Sequence, residues 1–218
     1  MTSEMSREAC LRGFLELLAE RPLARIDLAE VAARCGVALG EMRASFASTD
    51  DLLASFFRVT DRKVLAEGGP DSDELSEEGP KERLFEVLMR RLDALEPHRD
   101  AVRALMRSAK RDPLLAARLL RLSERSQRWM LAAAGIDCTG AAGAIRAKGL
   151  ALLFARVLEV WLADDDPGLG RTMAALDEQL TRGGKLLGML DDLAFLAMPW
   201  RTRRHRDGAP QAETPPGA

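Results

Sequence analysis

The sequence predicts an all-α protein of about nine helices. Three observations carry that expectation. Apolar residues recur at the helical period along most of the chain, strand-like alternation is missing, and proline, glycine and acidic runs fall between the periodic stretches. With 218 residues, 47% hydrophobic and 30% charged, the chain is long and apolar enough to bury a sizeable core.

The helices can be placed in order. Leu11, Phe14, Leu15 and Leu18 stand at i, i+3, i+4 and i+7, giving a first helix that ends at Arg21 and Pro22. Leu28, Val31, Ala32 and Cys35 repeat that spacing; Asp27 with Glu30 makes a capping box at its start, and Gly36 supplies the stop. A short helix fits 39–46. Ser48 or Thr49 then caps a longer one reaching about residue 65, with Leu52, Leu53, Phe56, Phe57 and Val59 on its apolar face. The acidic, turn-rich stretch 68–79 reads as a flexible connection. Pro80 opens the next helix, whose stripe is Leu84, Val87, Leu88, Leu92 and Leu95. Pro97 and Pro113 punctuate two further helices, the second running to about residue 134. Leu150, Leu153, Phe154, Val157, Leu158 and Trp161 mark a helix over about 139–163. A last one begins near Asp166 and Pro167 and carries Met173, Leu176, Leu180, Leu187 and Leu190. Beyond Pro199 the chain turns basic, then polar and proline-rich, and reads as a disordered tail. The expected organisation is a head over 1–67, a linker over 68–80, a helical body over 81–200 and a tail over 201–218.

Composition narrows the function. The formal net charge is −2, so the chain is not a globally basic nucleic-acid coat protein. Its longest apolar run, 149–155, is far short of the roughly 18–20 residues that span a bilayer, and its first residues lack the basic-then-apolar pattern of a secretion signal. Three cysteines (Cys10, Cys35 and Cys138) at unrelated spacings fit a reduced compartment without a disulfide framework, and the expected location is the cytoplasm. Tyrosine is absent and the histidines are His98, at a helix start, and His205, in the polar tail. Neither has a clustered ligand or triad partner, so no metal site, cofactor or catalytic residue is expected. Residues 181–185 lack the first glycine and the Ser/Thr of a phosphate-binding loop.

Residues 27–46 pair a short capped helix with a second short helix across a glycine turn, the geometry that lays one helix in a DNA major groove. With Phe14–Arg21 (F-x-x-L-L-A-E-R), Leu28–Val37 (L-A-E-V-A-x-x-x-G-V), Phe46 and the Asp51–Leu53 pattern, this region resembles the DNA-binding domain of TetR-family regulators. The resemblance covers roughly residues 9–57. It implies a helical homodimer whose N-terminal helices bind operator DNA and whose larger C-terminal half binds a small molecule and dimerises. On that basis the candidate DNA contacts are Arg25, Arg34, Ala38, Leu39, Gly40, Arg43, Ser45, Ser48 and Thr49, with Arg43 the main polar one. The recognition segment departs from the family's usual V-S-x-x-T-L-Y-x-H-F and following lysine. Ala38, Glu41, Met42, Arg43, Ser45 and Thr49 occupy those positions. Over 1–67 nine basic residues face eleven acidic ones, so non-specific phosphate attraction starts low unless Arg25, Arg34 and Arg43 cluster.

The C-terminal half predicts an apolar pocket between helices, with Leu84, Leu88, Met89, Met106, Leu119, Trp129, Met130 and Phe154 as candidate lining and an apolar small molecule or lipid as ligand. The W-L-x-D-D run at 161–165, Thr172 and the pair Leu176-Asp177 also resemble the TetR-fold lipid-binding proteins of coenzyme Q biosynthesis. That resemblance implies the alternative of a non-DNA-binding lipid carrier. The last two helices carry more apolar surface than one inner face needs, and by resemblance form the dimer interface through Leu150, Val157, Trp161, Met173, Leu176, Leu180 and Leu187. Finally, Leu193, Phe195, Leu196, Met198 and Trp200 precede four arginines, so residues 193–206 are a candidate peripheral membrane contact.

Overall fold

In the computed structural model the backbone is described for residues 2–67 and 79–197, and the side chains for 4–67 and 79–185. Nine α-helices follow one another among these residues: α1 Thr2–Glu20, α2 Leu28–Cys35, α3 Leu39–Ser45, α4 Thr49–Glu67, α5 Pro80–Leu95, α6 Arg99–Ala109, α7 Pro113–Ala133, α8 Gly140–Leu162 and α9 Gly170–Ala197. No strand occurs among them. Residues Met1–Gly183 form one compact unit, and a second begins at Gly184. Among the described residues no helix is long and apolar enough to cross a membrane. Of the expected linker at 68–80, residues 68–78 lie outside the described residues, as does the tail, and Pro80 already belongs to α5; the candidate membrane contact at 193–206 lies outside the described side chains.

Local signals set most boundaries. The Asp27 side chain accepts the Glu30 N–H at 2.8 Å, Glu30 reaches back to the Asp27 N–H at 3.3 Å, and Gly36 closes α2 at φ +69°, a left-handed conformation that glycine adopts without strain. Proline opens α5 and α7, where a missing N–H costs nothing. Asp112 caps α7 by accepting the Leu114 and Leu115 N–H groups.

In the N-terminal part α1 buries Cys10, Phe14, Leu17 and Leu18 against α2 and α6. Gly13 permits the close crossing of α1 and α2, since a Cβ there would sit 3.2 Å from the Arg34 side chain. The same crossing brings the free thiols of Cys10 and Cys35 to 3.3 Å, a pairing that sequence spacing did not reveal. Burial pushes the Cys10 thiol up to about 12, which makes it an inert core residue.

At the other end, α6 holds the C-terminal end of α8. Arg99 donates to the carbonyls of Trp161 (2.5 Å) and Asp164 (2.6 Å), with its guanidinium 5.0 Å from the Trp161 ring, and Arg103 donates to the Leu162 carbonyl. The Trp161 carbonyl also accepts the Asp164 N–H at 3.2 Å, so the guanidinium adds to a turn already closed by backbone, and both cations suit the dipole of the helix end. The following turn corrects the expected start of α9. Asp166 accepts the N–H groups of Gly168 and Gly170, and Asp164 accepts both the N–H and the hydroxyl of Thr172, so the helix starts at Gly170 rather than near Pro167.

The expected dimer positions fall in different surroundings. Leu150, Val157, Trp161, Leu176 and Leu180 are buried within the chain's own core, because the stripe they form packs inward within the same chain. Met173 is exposed, and the side chain of Leu187 lies outside the described residues. Among the described side chains of α8 and α9, the large apolar ones left open are Ile145 (55% exposed), Leu152 (51%) and Met173 (39%).

Candidate functional site

Two places stand out: the α2–α3 corner and an apolar cavity bounded by α4 to α8. In the corner, Met42 and Phe46 point inward and are almost fully buried, which turns Leu39, Gly40, Arg43 and Ala44 outward. Leu39 is 56% exposed and a Cβ on Gly40 would meet nothing, so this face offers a small, smooth helix surface with Arg43 on it. Ala38 is exposed just ahead of α3, Ser45 and Thr49 are half-buried, and the exposed Ser48 accepts the Asp51 N–H.

The three candidate arginines do not act alike. Arg34 is held away from the corner by α1, donating to both carboxylate oxygens of Glu20 at 2.8 and 3.1 Å and lying 3.8 Å from Glu16. Those bonds keep Glu20 below the usual carboxylate range and raise Arg34 above its ordinary value. Arg25 and Arg43 are exposed and have no ion-pair partner among the described residues. Glu41, the acidic departure in the recognition segment, accepts a 2.7 Å hydrogen bond from the Ser6 hydroxyl. Behind α3, Arg7 stacks over the Phe46 ring at 5.6 Å and Asp51 accepts the Ala47 N–H, which fixes the α3–α4 connection.

The cavity has a volume of about 360 Å³. Its wall takes Phe56, Phe57 and Thr60 from α4, Arg91 and Leu95 from α5, and apolar or small side chains from α6, α7 and α8. Of the eight candidate lining residues, Met106, Leu119 and Phe154 form part of the wall. Leu84, Leu88 and Met130 are core residues outside it, and Met89 is half-buried elsewhere. Trp129 lies farthest from the expectation's picture of a wall residue: it is 59% exposed on α7, beside Arg121, Arg125 and Arg128.

The wall's one charged residue, Arg91, was not anticipated. Its side chain is 3% exposed, and its Nη1 donates to Asp61 Oδ1 of α4 at 2.5 Å. The same oxygen accepts the Ser126 hydroxyl of α7 at 2.5 Å. The guanidinium lies 5.7 Å from the Phe154 ring and 6.0 Å from that of Phe57. Burial pushes the Arg91 pKa down, and the Asp61 carboxylate opposes that. One polar atom of Arg91, the buried Nε, has no hydrogen-bond partner. The signal for Arg91 lay in the stripe itself: position 91 is three after Leu88 and four before Leu95, a charge on an apolar face.

A capped helix-turn-helix corner and an apolar cavity in one all-helical chain define a recognisable class of fold. The class has a fold name. The chain superposes on a TetR transcriptional regulator from Nitrosomonas europaea with TM-score 0.62 and 24% identity, covering 82% of this chain and 97% of that one. A TetR regulator from Rhodococcus sp. RHA1 gives 0.54 and 22%, covering 83% and 96%, and a TetR-family regulator from Streptomyces coelicolor gives 0.51 and 13%, covering 88% and 92%. No protein-family model and no curated protein matches the sequence. The chain has the TetR-regulator fold, as its sequence led one to expect.

Proposed function

We propose that the protein is a ligand-responsive, TetR-type transcriptional regulator, a cytoplasmic homodimer without enzymatic activity that represses by binding operator DNA. The observation that carries this reading is the double duty of α4. It starts at Thr49, four residues after α3 ends, and seven to eleven residues later it supplies Phe56, Phe57 and Thr60 to the cavity wall. A ligand that alters this wall biases the same rigid helix on which the recognition segment is mounted, so the two sites are coupled through a two-state element. The head over 1–67 reads DNA with α3 in the major groove and Arg43 forking onto guanine or phosphate. The body over 81–200 binds the ligand and dimerises through the exposed side of α8 and α9, where Ile145, Leu152 and Met173 lie. The residues behind the lipid-carrier resemblance, Trp161, Asp164 and Thr172, serve in the α8–α9 joint and favour no second reading.

A genomic DNA pull-down with the purified protein, at low and at near-physiological salt, tests the proposal. A discrete palindromic site that survives the higher salt is the expected result. No enrichment even at low salt would overturn it.

A further inference from the structure

The cavity's polar content is small enough to specify the chemistry of what it takes. Three polar residues stand in its wall: Thr60, Arg91 and Ser123. The Thr60 hydroxyl donates to the Phe56 carbonyl at 3.0 Å and is therefore already engaged. Arg91 is charged, but that charge is matched inside the wall by Asp61 at 2.5 Å, and Asp61 is held in turn by Ser126. The wall is therefore electrically balanced before any ligand arrives.

We propose that the cavity binds an uncharged, mainly hydrocarbon molecule carrying one hydrogen-bond acceptor, of the ketone or ester class, whose oxygen is met by Arg91. The inference rests on reading the cavity as the effector site. A carboxylate ligand would place a second anion beside Asp61 in an apolar wall, and would have to break the existing pair to be neutralised. An alkylammonium would meet the Arg91 guanidinium with no free carboxylate to balance it. Both arrangements leave an uncompensated charge out of water. A neutral acceptor avoids this. It also answers the buried Arg91 Nε, a donor without a partner, and buried donors of that kind are costly to leave unmet. The rings of Phe57 and Phe154 flank the guanidinium and hold it in place, so the acceptor meets a pre-oriented donor. At about 360 Å³ the cavity lies at the small end of ligand sites, which fits a medium-length chain or a ring or two rather than a long isoprenoid tail.

The test is displacement of the fluorescent dye N-phenyl-1-naphthylamine from the full-length protein at pH 7.5 by three probes of matched length: 2-undecanone, decanoate and decylammonium. The expected result is that 2-undecanone binds at least about tenfold more tightly than either ion, the scale of one hydrogen bond to a charged group. Arg91→Lys keeps a cation beside Asp61, and so the fold, but lacks the guanidinium Nε; it should remove most of that preference. Decanoate or decylammonium binding best would overturn the proposal, as would an Arg91→Lys protein with an unchanged preference. Equal displacement by all three probes would overturn it as well, and would leave the cavity's role as a binding site standing. Failure of the dye and every probe to enter would instead bring down the effector-site reading on which the proposal rests.

Discussion

The α2–α3 corner and the cavity treat their arginines in opposite ways. On α2, Arg34 is drawn toward α1 by Glu20 and Glu16 on a wet surface, where water competes for both partners and the pair can open at little cost. In the cavity wall, Arg91 meets Asp61 out of water, and neither can be removed without stranding the other. A surface pair therefore exchanges readily with other partners. A buried pair is a fixed joint, and this one ties α4 to α5 and, through Ser126, to α7.

The largest effect is expected where that joint is cut. Asp61→Ala leaves Arg91 buried and unpaired and should lower unfolding free energy by about 3–5 kcal/mol. Asp61→Leu combined with Arg91→Met should recover most of that loss in urea denaturation. A single Asp61→Ala variant as stable as the parent would erase the contrast between the two regions.

The corner should respond in binding rather than in stability. Arg43→Ala is expected to weaken binding to the recovered operator by roughly 1–3 kcal/mol in fluorescence anisotropy, with an unchanged urea midpoint. Glu20→Gln sharpens the comparison from the other side. Releasing Arg34 should strengthen non-specific DNA binding and steepen its salt dependence by about one counterion. An unaltered slope would mean that Arg34 stays out of reach of phosphate. Within the head's own fold, Asp27→Ala removes the cap of α2 and should cost about 1 kcal/mol by urea denaturation.

The same two regions show how far the sequence can be read. The α2–α3 corner was legible because its determinants are local: Asp27 and Glu30 lie three residues apart, Gly36 ends the helix, and the period of Leu28, Val31 and Ala32 names the buried face. The cavity was only partly legible, because its wall is assembled from five helices and depends on which side chains leave space rather than fill it. Met106 and Phe154 line it while Met130 and Leu88, just as apolar and just as periodic, are packed solid. Small wall residues such as Ala117 and Ala155 give no sequence signal, since an alanine on a helix reads alike beside a void or a neighbour. The one accessible clue was a charge falling on an apolar stripe, at Arg91 and in the same manner at Asp61. The Asp164–Thr172 joint was visible as residues and not as a function, because its partners Arg99 and Arg103 stand more than fifty positions away.

The smallest expected effect concerns the cavity side and acidity. His98 packs edge-on against Phe56, a wall residue, with ring centroids 5.5 Å apart. Burial, and secondarily the charge of Lys63, holds its pKa below the ordinary histidine value of 6.5. A base whose pKa is lowered by folding binds fewer protons in the folded state than in the unfolded state. Its contribution is therefore fully present above pH 6.5 and declines as pH falls below it toward the folded value. Because the ring is only partly buried, the effect should be a fraction of the Asp61→Ala loss. Urea midpoints measured from pH 8 down to pH 5.5 should fall more steeply for the parent than for His98→Gln, with the pH-dependent part of their difference confined below pH 6.5. Parallel curves across that window would remove His98 from the acid response and leave the stability of the cavity wall to its buried ion pair.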